Sequence, residues 1–241
     1  MTPKICVSIL PKTIPEAFGL IEKAEESNAD LIEVRLDQLE NLGKMANLAA
    51  HGKAPKIATD KSSRPQTEQS KMLLSAAKHG FEYVDVDIST ENLEALVMEL
   101  KALGAKPVLS FHRINGSFSL SELKNVLEKQ ISSGADVCKI VTTAMRIEDN
   151  LTILNFTSEA SIRTKLVCFC MGEIGKISRL LSPLSTRIVS PSSLLDQGYA
   201  PVVHLCYLVV HVLDLESNVM NTFAVTVEEF LPCTGASDRF E

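Results

Sequence analysis

Short apolar runs rich in Val, Ile and Leu recur along the chain, and each is followed by a longer stretch in which apolar residues return every three to four positions. The runs are "KICVSIL" (4–10), "DLIEVRL" (30–36), "PKIAT" (55–59), "YVDVDI" (83–88), "PVLSFH" (107–112), "DVCKIVTTA" (136–144), "KLVCFCM" (165–171) and "RIVS" (187–190). Their length and β-branched content predict strands, eight in all. Between them the period changes: Leu120, Leu123, Val126, Leu127 and Ile131 keep to one helical face, while Glu122, Lys124, Asn125 and Glu128 fall elsewhere. Thr13 with Glu16, and Ser119 with Glu122, have the spacing of a capping box at a helix start. Gly104 and Gly134, each just before the next strand, suit helix exits.

Repeated strand–helix alternation, with strands apolar enough to be covered on both faces, predicts a (β/α)8 TIM-type barrel of parallel strands with helices outside. An open doubly wound sheet has the same alternation. It lacks its usual support, because "ILPKTIPEA" follows the first strand where a glycine-rich phosphate loop would stand. The domain reading is a single barrel over residues 1–215 and a C-terminal extension over 216–241. The first part of the last stretch, "VVHLCYLVVHVLDL", is apolar almost all round, which suits a helix buried in a subunit contact. A homodimer is expected.

Composition narrows the partner. At 241 residues and 45% hydrophobic content the chain can bury a large core. Its net charge of -6 is spread thinly, with no run of five like charges, so neither nucleic acid nor a membrane surface is expected and a small molecule is. No secretory leader pattern opens the sequence and no long apolar run is present, which points to the cytoplasm. Cys6, Cys138, Cys168, Cys170, Cys206 and Cys233 sit mostly in strand-like segments, where a thiol behaves as a small hydrophobe. No pair of cysteines or histidines has zinc-site spacing, so no metal is expected.

In a parallel barrel the chemistry lies at the carboxyl ends of the strands, so polar residues late in apolar strands are the candidates. Strand two ends "EVRLD", placing Glu33, Arg35 and Asp37 in alternation on one face. Strand five ends in His112, strand six carries Lys139, and "MGEIGKISRL" after strand seven carries Glu173, Lys176 and Arg179. A histidine at a strand end is often only a hydrogen-bonded structural residue; a lysine inside an apolar strand is rarer. Burial and a neighbouring cation lower a lysine pKa, to about 7 to 8 in favourable cases, which leaves neutral amine able to attack a carbonyl. Lys139 is therefore the candidate for a Schiff base that turns a bound ketone or aldehyde into an electron sink. His112, on the neighbouring strand, is the candidate base for the carbon beside it. Arg35 and Arg179 offer bidentate clamps for a carboxylate or phosphate, or else form ion pairs.

The segments "GADVCKIVTTA", "LSFH", "ADLIEVRLD", "YVDVDI" and "MGEIGKISRLLSP" together resemble the type I 3-dehydroquinate dehydratases of the shikimate pathway, over about residues 4 to 201. The resemblance implies a (β/α)8 barrel lyase that needs no cofactor. Lys139 would form an imine with 3-dehydroquinate, and His112 would shuttle protons in the syn elimination of water that yields 3-dehydroshikimate. Glu33, Arg35 and Arg179 would bind the substrate's hydroxyls and carboxylate, with Lys61 and Ser8 completing the binding set. Two segments depart from the family pattern. After strand three the family has an arginine and a glutamate-glycine-glycine segment whose glutamate orients the histidine; here "ATDKSSRPQTEQ" places Lys61 at the arginine and nothing clear at the glutamate, Glu68 being the nearest candidate. After strand eight the family's serine-alanine-proline-glycine-glutamine lid is replaced by "YAPVV" (199–203). Reduced activity is the expectation. The competing readings are a barrel that has lost catalysis and serves as a binding or scaffold protein, and a Schiff-base aldolase, which would need a phosphate site that the loop after strand eight lacks.

Overall fold

The computed structural model describes residues 4–185 and 209–212, with side chains described through Pro183. Eight parallel strands form one sheet: β1 Ile5–Ile9, β2 Leu31–Arg35, β3 Lys56–Thr59, β4 Tyr83–Asp87, β5 Lys106–His112, β6 Val137–Thr143, β7 Leu166–Met171 and β8 Val209–Val212. Neighbours run β7-β6-β5-β4-β3-β2-β1-β8. Every strand from β1 to β7 lies beside the next in sequence, with no reversal of strand order, so the sheet is that of a (β/α)8 barrel and not of a doubly wound fold. The helices between strands are α1 Ile14–Glu26, α2 Met45–Ala50, α3 Gln66–Lys78, α4 Leu93–Ala102, α5 Leu120–Ser132, α6 Glu148–Ala160 and α7 Lys176–Ser185.

The eighth strand corrects two expectations. The ladder partner of β1 is Val209–Val212, not a helix, although it comes from the uniformly apolar stretch. In a parallel barrel a strand is covered on both faces, so continuous apolar sequence suits a buried strand as well as a buried helix, and periodicity alone could not separate them. "RIVS" (187–190), the "YAPVV" segment, Cys206, Cys233 and residues 216–241 lie outside the described residues.

Helix ends follow local chemistry. Ser119 and Glu122 close a reciprocal capping box at α5. At α1 the box is offset by one residue: the Glu16 amide donates to Thr13 Oγ1 at 3.3 Å, while its carboxylate accepts from the amide of Lys12. Gly104 and Gly134 leave their helices at φ +82° and +86°, a conformation that costs glycine nothing.

Alternation along the strands divides the core. Outward residues such as Ile32, Val34, Val84 and Leu109 pack against α1 to α4, and Cys138, Ile140 and Cys168 pack against α5 and α6. Leu123 and Leu127 of α5 are fully covered there, each worth roughly 1.5–3 kcal/mol of burial. Inward residues Leu31, Ile57, Val108, Val137 and Val167 fill the lower barrel. The next inward position on β1 to β6 is polar in every case, and that layer is the floor of the site. Among the described residues no helix is long and apolar enough to cross a membrane, and no cluster of ligating side chains could hold a metal ion.

Candidate active site

Strand register brings six polar side chains to one level. Ser8 lies across from Glu33, Thr59 across from Asp85, and Ser110 across from Lys139. All are buried. Lys139 Nζ donates to Glu33 Oε1 and to Asp85 Oδ2, each at 3.0 Å. Thr59 donates to Glu33 Oε1 at 2.8 Å, and Ser8 donates to Glu33 Oε2. Ser110 donates to Asp85 Oδ1 at 2.6 Å. Lys61, in the loop after β3, reaches the same oxygen at 2.8 Å and Ser110 Oγ at 3.0 Å. Two ammonium groups and two carboxylates thus balance in charge, and a buried lysine is tolerated because its charge is met where it sits.

This corrects the expectation of a lysine poised near neutrality. Burial alone pushes the Lys139 ammonium down, but Asp85 and Glu33 more than offset it and hold the pKa above the ordinary lysine value. Burial likewise pushes the Asp85 carboxyl up, and Lys139 and Lys61 overcome that and bring it well below the usual range. Glu33 is also lowered: Lys139 and the Ser8 hydroxyl outweigh burial and the repulsion from Asp85. The resting amine is an ammonium. Below it, burial and the nearby Glu33 charge raise the Cys6 thiol, which is inert packing.

His112 stands one inward step above Ser110 on β5, toward the open end of the barrel. Its pKa falls to about 4, through burial first and then through Lys61 and Lys139. The carboxylates that pull the other way are Asp85 and Asp87. Glu68, the sequence candidate for orienting the histidine, is exposed in the first turn of α3 and takes no part.

The two arginines are held differently. The strand ends at Arg35, and a 3-10 turn over Leu36–Gln38 folds Asp37 back, so that its carboxylate takes Nε and Nη2 of Arg35 at 2.8 Å each. The "EVRLD" alternation therefore holds through Arg35 and not to Asp37. Arg179 has no carboxylate partner among the described residues; its guanidinium lies 4.8 Å from the Phe169 ring centroid and its buried Nε is unpaired. Burial lowers its pKa. Glu173 and Lys176 pair with each other on the surface and stay out of the site.

The "MGEIGKISR" segment is what aims Arg179. Gly172 turns the chain at φ +84°, and at Gly175 a Cβ would meet the carbonyl oxygen of Met171 at 2.3 Å. Ser178 Oγ accepts from the Cys170 amide at 2.9 Å and donates to the Gly175 carbonyl at 2.8 Å, which seats the start of α7 on the end of β7. Buried Asn150 of α6 secures the same joint through the Ile174 carbonyl and the Ser178 amide.

Beside this layer, between the loops after β3 and β4, is a polar cavity of about 220 Å³ reached by Lys61, Asp85, Asp87, Asp60 and Gln69. Of the residues singled out from sequence, Lys139, Glu33, Ser8 and Lys61 meet in the polar layer, with His112 one inward step above it, and Lys61 also lines the cavity; Arg35 stands at the end of β2 and Arg179 in the first turn of α7. Asp85, Ser110 and Thr59 were missed. The signal was present in "YVDVDI", where Asp85 and Asp87 share the inward parity while Val84 and Val86 face the helices.

A parallel barrel whose ionisable side chains gather at the carboxyl ends of its strands has the layout of a barrel enzyme. A sequence model of type I 3-dehydroquinase matches residues 5–215, and the chain belongs to that family. A 3-dehydroquinate dehydratase of Dehalococcoides mccartyi is 36% identical over 202 residues, covering 80% of this chain and 86% of that protein. One of Pyrococcus abyssi is 32% identical over 203 residues, covering 82% and 91%. The solved structure of 3-dehydroquinate dehydratase from Enterococcus faecalis superposes with a TM-score of 0.69 at 26% identity, over 76% of this chain and 85% of that one.

Proposed function

We propose that the chain removes water from 3-dehydroquinate to give 3-dehydroshikimate, through an imine on Lys139 with His112 as the proton carrier. The observation that carries this reading is a buried lysine amine, salt-bridged to Glu33 and Asp85, on the strand next to one that ends in a histidine neutral at pH 7. Neutral His112 can accept the proton that Lys139 must lose before its lone pair attacks the ketone. The ring returns that proton to the carbinolamine oxygen, which leaves as water; the iminium then acidifies the adjacent C–H, and the ring, neutral again, takes that proton and passes it to the departing hydroxyl. Arg179, a guanidinium without a carboxylate partner among the described residues, takes the substrate's carboxylate. Arg35 keeps two of its donors on Asp37 and offers the rest. Glu33, Ser8 and Lys61 meet the hydroxyls.

The test is borohydride reduction in the presence of 3-dehydroquinate or its product. It should fix ligand mass on the peptide containing Lys139, and Lys139→Ala should abolish the adduct. Labelling of Lys61 or Lys176 instead would refute the assignment. Turnover is read by the ultraviolet band of the conjugated enone product. A barrel that binds without turnover is the second reading. It is favoured by the absence, among the described residues, of any carboxylate hydrogen-bonded to His112. Adduct formation without enone would select it.

A further inference from the structure

We infer that Asp85 is the counter-ion that stays with the nitrogen of Lys139 when the imine forms, and that Glu33 is the carboxylate released to the substrate. The inference deepens the imine reading and rests on it. Hydrogen counting forces a choice. An ammonium carries three N–H donors, and in the resting site Nζ spends one on Glu33 and one on Asp85. When R–NH3+ condenses with a ketone, nitrogen forms two bonds to the carbonyl carbon, the oxygen leaves as water with two of the three hydrogens, and the iminium keeps one N–H and the positive charge. Only one of the two carboxylates can keep its hydrogen bond.

The two are not equivalent. Glu33 retains a donor on each oxygen when Lys139 lets go, Thr59 on Oε1 and Ser8 on Oε2. Asp85 has Lys61 and Ser110 both on Oδ1, while Lys139 alone serves Oδ2 among the described residues. The Asp85 side chain has no solvent exposure in the resting site, so a bare Oδ2 would be left buried without a donor among the described residues. Charge alone argues the other way, since Asp85 would keep Lys61 and Glu33 would lose its nearest cation. That term changes gradually, because the charged nitrogen stays within the same layer, whereas the hydrogen bond is kept or lost outright. Donor count decides for Asp85. Glu33 Oε1 then has room for a second donor, which a substrate hydroxyl supplies. Lys61, fixed on Oδ1, is a positioning residue: it orients the carboxylate so that Oδ2 faces Nζ. The other ionisable groups near Nζ are His112 from β5 and Cys6 from β1, and neither bonds to it among the described residues.

The experiment compares borohydride trapping with product at saturation across variants shown by circular dichroism to be folded. Asp85→Asn should lower the trapped adduct at least tenfold, because an amide offers no charge to the iminium. Glu33→Gln should keep the adduct within about twofold of the parent protein while KM for substrate rises. The opposite pattern, adduct lost in Glu33→Gln and kept in Asp85→Asn, overturns the inference; so does an equal loss in both. Should Asp85→Asn not fold, Lys61→Met reports on the same carboxylate. Without the cation that orients it, the carboxylate no longer presents Oδ2 to Nζ, so the adduct should fall severalfold, and an undiminished adduct overturns the inference. Absence of any adduct in the parent protein refutes the imine reading itself, a result distinct from all of these.

Discussion

His112 is held neutral by its surroundings before any substrate arrives. Burial and two lysine charges bring its pKa to about 4, so the ring is neutral across the range in which a free histidine would titrate. Two expectations follow at this scale. The limb of kcat/KM that reports on the free histidine should fall only near pH 4, and a limb centred at 6 to 7 would mean that another group is the base. His112→Ala should slow trapping on Lys139 while leaving its extent at long incubation, and slow enone formation about 100-fold or more, the scale for losing a positioned acid–base group. A variant that lost trapping and kept turnover would reverse the roles of the two residues.

Among the elements, the joint between β7 and α7 shows how backbone chemistry aims a side chain. "MGEIGKISR" was legible as a motif, and Arg179 as a candidate, because a glycine, a serine and an arginine at fixed spacing stand out in a strand-to-helix turn. The reason for the spacing was not legible. Gly175 is required by the approach of the Met171 carbonyl, and Ser178 by hydrogen bonds to backbone groups of Cys170 and Gly175, contacts visible only in three dimensions. Ser178→Ala should therefore destabilise the protein by about 1–3 kcal/mol, since it leaves a buried amide without its acceptor. It should also raise KM, because Arg179 follows Ser178 directly. Urea denaturation and steady-state kinetics on the same variant check both. Loss of stability with KM unchanged would mean that Arg179 is not aimed by this joint.

At the scale of the whole molecule, strand–helix alternation was enough to read the barrel, since seven of the expected strands fall where the apolar runs lie. The strand that pairs with β1, Val209–Val212, was not read from the sequence, because apolar sequence carries no period when both faces of a strand are covered. The polar layer was harder to read, as its members come one from each strand and are joined only by register: Lys139 was conspicuous, whereas Ser110 and Thr59 are ordinary strand residues until the sheet curls them together. That layer also ties stability to pH. Asp85 and Glu33 both have folded pKa values below those of free carboxyls, so they contribute stability above about pH 4 that is lost as pH falls through the folded values. Lys139→Met removes the one cation bonded to Glu33 among the described residues while leaving Lys61 on Asp85. A buried carboxylate stripped of its partner costs about 3–5 kcal/mol, and its pKa must rise. The variant should therefore be less stable than the parent by about that amount at pH 7, and the gap should narrow on acidification as Glu33 takes up a proton in the variant before it does in the parent. Restoring neutrality with Lys139→Met and Glu33→Gln together should recover most of the loss at pH 7. A gap independent of pH, or no recovery in the double variant, would show that Lys139 stabilises the barrel through packing and not through its charge.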